Sequence, residues 1–128
     1  MPICFIEAPV IGNDAKTKLV EKVTAALRDA YHLRDYRVFI REYPGDNVAQ
    51  DGNLQTEIRP VCFVEGPAIR VDIKSTLIEK MTTALSEVYH SDQVMIFLRE
   101  HVLENVGING RLQSKNPQVV EALQKLAA

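Results

Sequence analysis

Pro2 is the residue of this chain whose chemistry is hardest to obtain elsewhere. Initiator methionine is commonly removed when proline follows it. Loss of Met1 leaves Pro2 at the N-terminus with a free secondary amine, a compact base that no side chain supplies. An ordinary α-amino group titrates near pH ~7.7–8.0, and burial lowers that value by disfavouring the charged form. A proline amine held rigid at the head of a strand can therefore accept and return protons at neutral pH. Many chains begin Met-Pro without using the amine, so Pro2 acquires meaning only from its surroundings.

Other reactive residue types point elsewhere. Cys4 and Cys62 sit inside apolar runs and read as small buried thiols, not as a disulfide or metal site. His32 and His90 fall at the ends of two helical segments, where a cation suits the helix dipole. His101, beside Glu100, reads as a surface residue. No CxxC, HExxH, GxGxxG or P-loop pattern occurs, and the chemistry expected is free of cofactor and metal.

The chain has 128 residues, 46% hydrophobic and 25% charged, which suits one compact domain. Its net charge of −2 gives no reason to expect nucleic acid or an anionic membrane as partner. No apolar run approaches the ~20 residues of a membrane span. The start lacks a basic segment ahead of its apolar run and meets Glu7 and Pro9 early, unlike a signal peptide; a cytoplasmic protein is expected.

What must position Pro2 is a duplicated unit. Shifted by about 58 residues, the sequence overlays itself without a gap. Pro2-Ile3-Cys4-Phe5-Ile6-Glu7-Ala8-Pro9 falls on Pro60-Val61-Cys62-Phe63-Val64-Glu65-Gly66-Pro67. Tyr31-His32 meets Tyr89-His90, Arg41-Glu42 meets Arg99-Glu100, and Leu54-Gln55 meets Leu112-Gln113. The repeats span 2–55 and 60–115, followed by a C-terminal helix at 116–128 with Val119, Val120, Leu123 and Leu126 on one side. That helix is expected on the sheet edge or on a neighbouring chain.

Each repeat reads as strand, helix, strand, turn. The first strand is apolar at successive positions, which predicts burial on both faces. Helical periodicity runs from about Asp14 to His32, with Leu19, Val20, Val23, Ala26, Leu27, Ala30 and Tyr31 on one stripe. The second helix repeats it with Leu77, Ile78, Met81, Ala84, Leu85, Val88 and Tyr89. Asn13 or Asp14 is the expected N-cap. Strands follow at Tyr36–Ile40 and Val94–Leu98, and Asp51-Gly52 and Asn109-Gly110 mark hairpins. The fold class is α/β (α+β): two tandem β-α-β units form a four-stranded mixed sheet with two helices on one face, each unit ending in a short hairpin. The other sheet face has no helix to cover it, which predicts an oligomer.

The residues Glu65-Gly66, Lys74, Thr76-Leu77-Ile78, Glu100, Val106-Gly107-Ile108-Asn109-Gly110 and Leu112-Gln113-Ser114-Lys115 resemble the spacing of the tautomerase superfamily. The chain looks like a fused form in which one gene encodes two subunits like those of 4-oxalocrotonate tautomerase (4-OT). The resemblance implies that Pro2 is the general acid/base and that fused chains form a homotrimer. It implies a small carboxylate-bearing substrate held by arginines. Arg70, in the loop before the second helix, falls within about one residue of the carboxylate-binding arginine, a place its repeat mate Gly12 cannot fill. Arg37 falls on the second-strand arginine that contacts the substrate, and Met95 replaces it in the second repeat. Arg99 is a third candidate, although Arg41 and Arg99 form a repeat-matched pair that a salt bridge also explains. Pro60 cannot share the chemistry, because its nitrogen is a tertiary amide.

The departures narrow the reaction. Phe97 stands where the dehalogenase branch has a tyrosine, and Ile108 where it has a water-activating glutamate. Val48 and Val106 stand where 4-OT has an aromatic wall. The reading is a keto-enol tautomerase of a small 2-oxo or 2-hydroxy-enoic acid. A proline-dependent decarboxylase, a hydratase or dehalogenase, and a non-catalytic module of the same fold are the alternatives.

Overall fold

A computed structural model describes residues 1–54 and 56–127. Gln55, the expected end of the first repeat, and Ala128, the expected end of the tail helix, lie outside the described residues. The first repeat gives β1 (Ile3–Pro9), α1 (Asn13–Tyr31), β2 (Arg37–Tyr43) and a small hairpin of β3 (Ala49–Gln50) and β4 (Asn53–Leu54). The second gives β5 (Val61–Gly66), α2 (Val71–Tyr89), β6 (Met95–Glu100) and the hairpin of β7 (Gly107–Ile108) and β8 (Arg111–Leu112). A 3-10 turn at Gln113–Lys115 leads into α3 (Pro117–Ala127).

The four long strands form one sheet in the order β2-β1-β5-β6. Each outer strand is parallel to its inner neighbour, and β1 and β5 meet antiparallel. The two halves are therefore related by an approximate two-fold between β1 and β5. Cys4 and Cys62 meet there with their Sγ atoms 3.0 Å apart, both fully buried and free. Their mutual hydrogen bond and their burial push the Cys4 thiol pKa up, which keeps it protonated and unreactive. The same symmetry pairs α1 with α2 through Lys80–Asp29 at 3.0 Å and its counterpart Lys22–Glu87.

Strand alternation sorts the sheet into two faces. Cys4, Ile6, Ala8, Cys62 and Val64 are fully buried against Leu19, Val23, Leu27, Leu77, Met81 and Leu85 of the helices. The alternate positions of β1 and β5 are only partly covered, so the expected burial of both faces does not occur within one chain. The open face carries the stacked pairs Phe5–Phe39 and Phe63–Phe97, with Phe39 47% and Phe97 46% exposed. In α2, Ile78 departs from the expected stripe and points outward, being 37% exposed.

Both helices begin one or two residues earlier than the hydrophobic pattern suggests. Their N-caps are Gly12 and Arg70, extended residues without a side-chain cap bond, so neither Asn13 nor Asp14 caps α1. Both helices end at histidine: His32 and His90 adopt the left-handed conformation at φ 51° and 53°. Their backbone shape marks the stop, whatever their charge. The second strands lie further along than read, at Arg37–Tyr43 and Met95–Glu100. The hairpin turns fall where expected, with Asp51-Gly52 and Asn109-Gly110 all at positive φ, as a type I′ turn requires.

Candidate active site

Register fixes what surrounds Pro2. Ile3 lies beside Arg37 of β2 on one side and Glu65 of β5 on the other. Pro2 therefore stands at the end of the sheet where β5 and β6 finish and the loop Pro67–Arg70 departs. Its ring is fully buried, and its carbonyl accepts a long bond of 3.5 Å from the Arg37 N–H. Met1 precedes it, and the Met1 amine donates to the carbonyls of Arg34 and Asp35 at 2.7 and 2.5 Å. Burial lowers the pKa of this amine; Asp35 opposes the shift and the Arg37 cation adds to it. The Met1 amine is thereby shifted toward its neutral form.

Met1 reaches into a cavity of about 330 Å³. One wall is the turn between α1 and β2, His32 to Asp35; the opposite wall is Ile108 of the last hairpin, Gln113, and the first turns of α3. The tail helix thus packs on its own chain. Leu123 and Leu126 join the core at 7% and 8% exposure, and α3 closes the Pro2 end of the sheet.

The three arginines of the sequence reading have different partners. Arg37 is exposed on the open face, and its charge bears on the terminal amine. Arg70 ties down the tail: its N–H donates to the Leu126 carbonyl and its Nη1 to the Lys125 carbonyl, both at 2.8 Å. Its Nε pairs with Asp72 at 3.2 Å, which holds that carboxyl below its usual pKa. The guanidinium has five N–H donors, so these contacts leave most of the fork available. Arg99 pairs with Glu65 at 3.1 Å and lies 4.4 Å over the Phe63 ring. Arg41 repeats this arrangement with Glu7 at 2.7 Å and Phe5 at 4.7 Å. The matched geometry favours the salt-bridge account of both residues. His101 also bonds Glu65, at 2.9 Å, as Tyr43 bonds Glu7.

The opposite end of the sheet offers a comparison. Pro60 is equally buried, and Arg59 occupies the place of Met1, with its guanidinium bonded to Gln93. A cavity of about 370 Å³ opens there between Glu7, Tyr43, the first hairpin and the linker. No α3 counterpart closes it, because the chain continues into the second repeat. The tail helix was expected from the amphipathic run after Asn116, but its place as a wall of this cavity was not, and Gln113, noted only as a repeat-matched and fingerprint residue, was not read as part of a site.

No family model and no curated protein matches the sequence. Solved structures match the fold. A fused 4-OT solved as a symmetric trimer, Q0, superposes with a TM-score of 0.82 at 20% identity, over 90% of this chain and 98% of its own. Pt0534, solved after inactivation by 2-oxo-3-pentynoate, gives 0.79 at 18% identity, over 89% of this chain and 97% of its own. N1, a member of the cis-3-chloroacrylic acid dehalogenase family, gives 0.78 at 16% identity and spans 97% of this chain and 92% of its own. The architecture is that of the fused 4-OT fold.

Proposed function

We propose that this chain is a cofactor-independent keto-enol tautomerase of small 2-oxo and 2-hydroxy-enoic acids, with the Pro2 amine as general acid/base once Met1 is removed. The observation that carries the reading is the position of Pro2: a buried strand-head residue directly behind Met1, whose own amine is shifted toward its neutral form by burial and which lines a cavity of about 330 Å³. The fold shared with fused 4-OT structures supports it. In the reaction, the neutral amine takes the hydroxyl proton of the enol, and the resulting ammonium returns a proton to a carbon of the conjugated chain. Arg70 anchors the carboxylate with its remaining N–H donors. Arg37 favours the neutral amine and stabilises negative charge that develops on the enolate oxygen. Arg99, engaged with Glu65, is the most remote of the three from this role.

The homotrimer of the related fold supports the same assembly here, with the open sheet face as its interface. No helix is long and apolar enough to cross a membrane, and a cytoplasmic setting remains part of the proposal. A dehalogenase reading draws on the near-complete overlap with N1. Ile108 weighs against it, because it presents an apolar side chain to the cavity at the position where the resemblance sets a water-activating carboxylate.

Intact mass first establishes loss of Met1. Ketonisation of 2-hydroxymuconate and of the phenylpyruvate enol is then measured for the wild type, Pro2→Ala and Arg70→Ala. General acid/base catalysis contributes about 10²–10⁴-fold, and Pro2→Ala should lose that much in kcat. Arg70→Ala should raise KM about 10-fold or more, the scale of a lost charge-assisted bond. Equal activity in all three proteins sinks the mechanism. Labelling by 2-oxo-3-pentynoate at Pro2, one equivalent per chain, gives an independent reading.

A further inference from the structure

We infer that Gln113 is a substrate-positioning residue, its carboxamide donating to a carboxylate oxygen of the small acid bound in the N-terminal cavity. The chemical class of the ligand rests on the function proposed above; the site rests on the geometry. Gln113 is 6% exposed and lines the cavity that Met1 enters. Its backbone is fully engaged: the N–H donates to the Val106 carbonyl at 2.8 Å, and the C=O accepts from the Asn116 N–H at 3.1 Å. Among the described residues its side-chain amide has no hydrogen-bond partner, yet it is not sealed off. Among the described residues the one fully enclosed side-chain polar atom without a partner is the Tyr89 hydroxyl, and Gln113 itself is part of the cavity lining. A buried carboxamide is costly to leave unpaired, so a persistent one marks a place that a ligand or water fills.

The surroundings make the group rigid. The Asn109-Gly110 turn delivers β8, the 3-10 turn begins at Gln113 itself, and α3 is fixed by Leu123 and Leu126 in the core. A side chain held on both flanks is preorganised for binding, which lowers the entropy lost on complex formation. The amide suits the chemistry as well. Its NH₂ provides two donors for a carboxylate without adding a second cation beside the amine. Another cation there would press the amine pKa further down, whereas a neutral donor leaves the base tuned as it is. Among the described residues the Pro60 cavity is bounded by the linker instead of a tail helix.

The test uses the full-length, Met1-processed protein. Binding of 2-oxohexanedioate is measured by calorimetry for the wild type, Pro2→Ala, Gln113→Leu and Gln113→Glu, with thermal unfolding as a fold check. The expected result is binding retained in Pro2→Ala and weakened at least 10-fold in both Gln113 variants. Gln113→Glu keeps the length of the side chain and repels the acid, so it carries the test if Gln113→Leu does not fold. The Gln113 side-chain NH₂ resonances should move on titration, and turnover of Gln113→Leu should show a raised KM with an unchanged pH profile, whereas Gln113→Glu adds an anion and should move the acid limb to higher pH. Equal binding by folded Gln113→Glu, or no binding by the wild type, overturns the inference. Wild-type binding without Pro2-dependent turnover instead overturns the tautomerase reading and leaves this site standing.

Discussion

At the residue scale, three effects of known sign act on the Met1 amine, and on the function proposed above the Pro2 amine freed by loss of Met1 takes over the same neighbours. Burial favours the neutral form most strongly, Asp35 favours the charged form, and Arg37 favours the neutral form. Replacing Arg37 by Gln removes a lowering influence, so the amine pKa rises and the free-base fraction at a given pH falls. The acid limb of the pH profile of kcat/KM should then move to higher pH. Asp35→Asn should move it to lower pH; asparagine tolerates the positive φ of 61° found there. A limb that ignores both substitutions would mean that another group sets the profile. Pro2 stood out by residue type and by comparison with Pro60, and Arg37 by the family resemblance and by comparison with Met95; the roles of both belong to the function proposed above. Gln113 did not stand out. A neutral amide in a polar stretch has no signature, and its burial arises only when α3 folds back over it.

At the element scale, the Pro2 end is kept compact by the fit of α1 on β5. A methyl group added at Gly66 would lie 3.0–3.1 Å from the Tyr31 ring and hydroxyl, and Tyr31 is 2% exposed with little room to yield. Overpacking of this kind costs about 1–3 kcal/mol. Gly66→Ala should therefore lower the stability measured in urea by that amount, with the slope of the transition unchanged. The repeat mate of Gly66 is Ala8, so the tight contact belongs to one end only. Successive apolar residues, β-branched runs and helical periodicity made the strands and helices readable. Helix starts were less so, since Gly12 and Arg70 cap through extended backbone alone, and no side-chain signal marks them. The fate of Arg70 was hidden for a related reason. Its partners are the backbone carbonyls of Lys125 and Leu126, and only the packing of Leu123 and Leu126 brings those within reach.

At the scale of the molecule, the uncovered sheet face is the feature that one chain cannot satisfy alone. Phe39, Met95 and Phe97 expose about half of their surface there, between Arg41 and Arg99. Phe97→Glu places a charge at the centre of the edge strand β6 on that face and leaves the helical side of the sheet untouched. The expected outcome by sedimentation is dissociation of a trimer to a smaller species, with helical content retained. A variant that sediments like the wild type would remove this face from the interface.

Joining two halves through one linker also has a consequence for how the protein can change over time. In a pair of identical subunits every substitution is made twice, so each end of the sheet must tolerate what the other needs. Here the ends mutate independently. Arg59 and Gln93 have closed a bond where Met1 and Asp35 stand at the other end, and Gly12 and Met95 have replaced the arginines. On the function proposed above, the cavity beside Pro60 has no amine to serve, so its lining is free to change toward a different role while the Pro2 end is held to its chemistry.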